Sequence, residues 1–78
     1  MKYLIVVEKA ESNWAAYSPD VMGCVATGKS VEETIENMRG ALALHLETML
    51  EDGDPLPPAA SQAVVVEVTV PGEAASAA

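Results

Sequence analysis

The sequence holds 78 residues, with twelve acidic side chains against four basic ones, a formal net charge of −8 and a pI near 4.2. This charge repels phosphate backbones and argues against direct nucleic-acid binding, and a single cysteine and a single histidine exclude an intrachain disulfide and an ordinary zinc site. A chain this short forms one domain that buries only about 60% of its unfolded surface, so cover from another molecule is expected.

Met1-Lys2 opens into the apolar run Tyr3 to Val7. The run is too short for a signal-peptide core or a membrane span, and with the lone cysteine it fits a protein free of membranes in a reducing cytoplasm. It reads as a first strand, apolar on both faces, with one face for a helix and the other left for a second copy or a partner. Glu8 to Asn13 reads as a hairpin connection, Trp14 to Ser18 as a second strand, and Pro19-Asp20 as the turn that ends it. Gly23 reopens the chain into a third strand, Cys24 to Thr27, and Gly28-Lys29 turns it toward a helix.

Ser30 to Glu51 carries the one long helical signal. Ser30 followed by Glu33 makes a capping box, while Glu32, Glu33 and Glu36 suit the positive end of the dipole. Val31, Ile35, Met38, Leu42, Leu46 and Met49 fall on one stripe, which predicts the buried face. Opposite lie Glu32, Glu33, Glu36, Glu47 and Glu51, interrupted by Gly40, Ala43 and Leu44. Gly53 and Pro55 stop the helix, and Asp54 to Pro58 is an extended return. Ala63 to Val70 alternates Val64, Val66, Val68 and Val70 with Val65, Glu67 and Thr69, which predicts a fourth strand.

The order β-β-β-α-β predicts an α+β two-layer sandwich, one long helix on a four-stranded mixed sheet. A right-handed crossover brings the fourth strand parallel beside the first. Residues 1–70 form the domain, and 71–78 read as a disordered tail.

Gly23 to Ser30 also matches the phosphate-loop pattern G-x-x-x-x-G-K-[ST]. The context fails it, because Cys24 to Thr27 read as strand and the chain is about half the length of such a parallel-sheet domain. The segment is read as strand, turn and N-cap.

Tyr17-Ser18-Pro19-Asp20-Val21-Met22-Gly23-Cys24, then Thr27-Gly28, then Ser30-x-Glu32-Glu33 and an Ala/Leu-rich helix, resembles the HicB-like antitoxin family. The resemblance runs from Met1 to Val70 and implies a degenerate ribonuclease H-like βββαβ fold. It also implies a small basic RNA-cleaving toxin of the HicA type as partner, with Ser18, Pro19, Asp20, Gly23, Cys24, Gly28, Ser30 and Glu33 as structural motif residues. Family members often continue into a DNA-binding domain, for which the residues after Val70 offer no counterpart. The first strand has no carboxylate before Glu8, so the metal-dependent nuclease chemistry of the parent fold is not expected.

Glu36, Gly40, Leu44 and Glu47 are the candidate partner-contact residues: a small-residue notch with one outward leucine between carboxylates. Cys24 reads as a buried inert thiol, and His45 as a structural or interface residue. Together these features predict a non-enzymatic, oligomeric antitoxin module with no cofactor or metal. The alternative is an orphan dimeric structural or ligand-binding module without a toxin.

Overall fold

Ser30 starts the helix through its side chain: in the computed structural model, which describes residues 1–72, its backbone is extended and its Oγ accepts from Glu33 N at 3.1 Å. Glu33 closes the box one residue early, its Oε1 accepting from Lys29 N at 2.9 Å. From this cap α1 runs Val31–Glu51. It ends in a Schellman motif, with Gly53 at φ +77, its N–H on Leu50 O at 3.1 Å and Asp54 N–H on Met49 O at 2.9 Å.

Before the helix come β1 (Val6–Lys9), β2 (Trp14–Ser18) and β3 (Val21–Gly28), joined as an antiparallel sheet in the order β1-β2-β3. β1 begins later than the apolar run suggests. Its partner β2 ends at Ser18, which is buried and turns its Oγ to donate to Leu4 O at 2.8 Å instead of continuing the ladder. β3 begins earlier than predicted: Ser18 pairs with Val21 but Tyr17 with Val25, so Met22, Gly23 and Cys24 form an irregularity that Gly23 permits at φ +82.

α1 lies across this sheet, packed mainly on β3 and β2 and only lightly on β1. Met38 is fully buried against Ala16, Val21 and Cys24, with Tyr3, Ile5, Val7, Ala26, Ala41, Leu42 and Leu46 packed around them. Thr34 is also fully buried, and its hydroxyl donates to Ser30 O at 2.7 Å. The helix can approach β3 only because residue 28 is glycine: a Cβ there would lie 2.6 Å from Thr34 Oγ1 and 2.7 Å from Thr34 N.

The expected four-stranded mixed sheet is not formed. Among the described residues the chain has one helix on a three-stranded antiparallel sheet, still α+β, and Ala63 to Val70 joins no ladder. The cause lies in the return segment. Tyr3 Oη donates to Pro57 O at 2.6 Å, and the Asp20 carboxylate then takes the amides of Ala60 and Ser61. These anchors hold the chain at the β2–β3 turn, and the residues beyond continue as an arm whose valines stay exposed, Val65 at 99%. The radius of gyration is accordingly 16.4 Å, against about 11.5 Å for a compact domain of this length. Pro71-Gly72 form a turn; residues 73–78, most of the predicted tail, lie outside the described residues. No helix among the described residues is long and apolar enough to cross a membrane.

Candidate functional site

The motif residues singled out in the sequence divide between the two ends of β3, which are about 23 Å apart for a strand of this length. At one end Ser18 supports Leu4, Pro19 makes the turn, and Asp20 holds the arm. Gly23 and the buried Cys24 follow, and burial raises the Cys24 thiol pKa above its ordinary value. At the other end Gly28, Ser30 and Glu33 seat and cap the helix. They do not converge on one point. The phosphate-loop pattern is likewise taken up in structure, since Val25, Ala26, Thr27 and Gly28 pair with Tyr17, Ala16, Ala15 and Trp14 of β2.

Asp20 is the residue whose work the sequence concealed. Its Oδ2 accepts from Ser61 N at 3.0 Å and Ala60 N at 3.1 Å, and its Oδ1 from Ser61 Oγ at 2.9 Å. The Ser61 amide, then its hydroxyl, hold the carboxyl below its usual pKa. A Pro-Asp pair signals only a turn, and its partners lie forty residues away.

Glu36, Gly40, Leu44 and Glu47 are all exposed on α1. Spaced four, four and three apart, they form a line along its outer side. Arg39 leans toward Glu36 at 3.3 Å, both side chains well exposed, so this pair adds little stability.

Two grooves flank the helix. On the β3 side an open groove of about 650 Å³ is lined by Cys24, Val25, Leu44, His45, Asp52 and Asp54 among others, and is therefore apolar with an acidic margin. On the other side a groove of about 560 Å³ runs between the N-terminal segment and α1, lined by Tyr3, Ile5, Ile35, Leu42 and Leu46, with Lys2 and Arg39 at its margin. This second groove was missed in the sequence, where Ile35, Leu42 and Leu46 count simply as core. They are in fact half-buried. Among the described residues no three His, Cys, Asp or Glu side chains come together as a metal site.

The family profile described as HicB-like antitoxin of bacterial toxin-antitoxin system matches residues 3–71. An uncharacterized 14.9 kDa protein of the rep-hol intergenic region of Haemophilus phage HP1 is 39% identical over 57 residues, 73% of this chain and 43% of that protein. A UPF0150 protein of Helicobacter pylori is 40% identical over 47 residues, 60% of this chain and 65% of its own. One from Archaeoglobus fulgidus is 37% identical over 57 residues, 69% of this chain and 83% of its own. Among solved structures, a chain of a HicA3 and HicB3 toxin-antitoxin complex superposes with a TM-score of 0.62 at 33% identity, covering 70% of this chain and 64% of that one. The chain thus spans less than half of the phage relative, and just under two thirds of the Helicobacter protein and of the solved chain.

Proposed function

This chain belongs to the HicB-like antitoxin family, and on that basis we propose that it is a non-enzymatic protein that binds and neutralises a small basic RNA-cleaving toxin of the HicA type. The observation that carries the reading is the likeness, at 33% identity and a TM-score of 0.62, to a chain solved within a HicA3 and HicB3 toxin-antitoxin complex.

The electrostatics suit such a partner. A net charge of −8 speeds encounter with a basic protein, and the carboxylates are placed where a partner can meet them. Glu36 and Glu47 flank Gly40 and Leu44 on the outer side of α1, and Leu44 also lines the groove margined by Asp52 and Asp54. The toxin meets this side of the helix. Leu44 supplies an apolar anchor, Gly40 lets a partner backbone come close, and the carboxylates steer the approach.

Neutralisation then requires no chemistry from this chain; it covers the toxin's RNA-binding surface. The test is co-expression with a small basic RNA-cleaving toxin of the HicA type. Growth is expected to be restored and the two chains to co-purify, with Leu44→Asp weakening both. Growth arrest that persists with the wild-type chain at excess contradicts the reading.

A further inference from the structure

The arm from Ala63 to Val70 is the least satisfied part of the molecule. Val64, Val66, Val68 and Val70 share one face by strand alternation, and together with Val65 they are exposed. An isolated strand with an uncovered apolar face is not stable in water, so this segment is built to be covered. It also lies inside the family match, which extends to residue 71.

We infer that the arm is a strand for a second copy of this chain, added along that copy's β1 edge with its valine face in the groove beside α1, while the second copy's arm is received in return. Three observations select this occupant. The first is geometric. β1 is an edge strand, and Tyr3, Ile5 and Val7 turn toward the core, so Leu4, Val6 and Glu8 face the other way. A neighbouring strand of the same period places Val64, Val66, Val68 and Val70 over Ile35, Leu42 and Leu46, and leaves Val65, Glu67 and Thr69 on the outer side.

The second is charge. Glu67 is the arm's one ionisable residue and falls on the outer side of the added strand, the side on which Lys2 lies by alternation with Leu4, whereas Arg39 is on α1 within 3.3 Å of Glu36. The β3-side groove is margined by Asp52 and Asp54 and repels Glu67.

The third is tethering. Tyr3 pins Pro57, and Asp20 pins Ala60 and Ser61, so the arm starts two residues beyond a fixed point at the β2–β3 turn and leaves its own groove open. A reciprocal exchange closes with twofold symmetry, pairs both β1 edges and covers both valine faces.

The full-length chain alone is the sample, so the outcome is independent of toxin binding. Light scattering after size exclusion is expected to give twice the 8.1 kDa chain mass. The double variant Val66→Asp with Val68→Asp is expected to run at the single-chain mass with unchanged helical circular dichroism. To place the arm, a Cys24→Ala chain spin-labelled at Val65→Cys is mixed with 15N-labelled chain. The strongest broadening is expected at the amides of Tyr3 to Val7 and of Ile35 to Leu46. A wild-type chain at single-chain mass, a dimer that survives both aspartates, or strongest broadening at β3 each overturns the inference.

Discussion

The carboxylate of Asp20 grips Ser61 twice, Oδ2 accepting from its amide at 3.0 Å and Oδ1 from its hydroxyl at 2.9 Å. One turn residue thereby fixes where the arm leaves the body. Because these bonds, the Ser61 amide first, depress the Asp20 pKa, the clasp is present above the carboxyl's ordinary pKa of 3.8 and is lost as pH falls through the lower, folded value. Acid titration followed by amide NMR is expected to show Ala60 and Ser61 shifting together below about pH 4. Asp20→Ala is expected to produce the same shifts at neutral pH while leaving the amides of α1 in place.

Gly28→Ala tests how closely the helix is seated. The added Cβ meets Thr34 Oγ1 at 2.6 Å and backbone Thr34 N at 2.7 Å, and Thr34 is held by its own bond to Ser30 O. The neighbour has no room to retreat, so a loss of about 1–3 kcal/mol is expected from urea unfolding. The same change at Gly40, where a Cβ meets nothing, is expected to be neutral or stabilising by up to about 1 kcal/mol in the isolated chain.

Met38→Ala is expected to cost about 2–5 kcal/mol, since the side chain is fully buried at the centre of the core. Ser30→Ala is expected to cost about 1 kcal/mol through the lost cap. In a domain with a total stability of roughly 5–10 kcal/mol, the first of these leaves little margin, and thermal unfolding separates the two.

Cys24 is buried, and burial alone raises its thiol pKa. Native protein is expected to react with a thiol reagent at least about a hundredfold more slowly than urea-unfolded protein, because the thiolate is scarce and shielded. Comparable rates in the two states contradict this placement.

Most of the body was legible in the sequence because its signals are local. Ser30, Glu33, the stripe through Met38 and the stop at Gly53 are each read within one or two turns, and α1 is found with that cap and that end. Trp14 to Ser18 is likewise the second strand. The arm shows the limit. The valine alternation predicts a fourth strand with one apolar face, but the segment joins no ladder and that face is exposed. That is decided by Tyr3 with Pro57 and by Asp20 with Ser61, contacts between residues 54 and 41 positions apart. The same holds for the candidate site. Helical phase alone places Leu44 outward among carboxylates, whereas the basic-margined groove exists only once the N-terminal segment lies beside α1.

If Glu36 and Glu47 steer the toxin, replacing both with lysine is expected to slow association on the order of tenfold at low salt, with the difference shrinking as salt rises. Leu44→Asp is expected to act instead on dissociation. Stopped-flow mixing separates the two effects, and an association rate untouched by both lysines would remove the acidic face from the interface.

The decisive measurement is RNA cleavage by a small basic toxin of the HicA type, followed with and without an equimolar amount of this chain. Cleavage is expected to stop as a stoichiometric complex forms, and to return when Leu44→Asp replaces the wild type. Unchanged cleavage beside excess folded wild-type chain, with no complex detected, would contradict an antitoxin role.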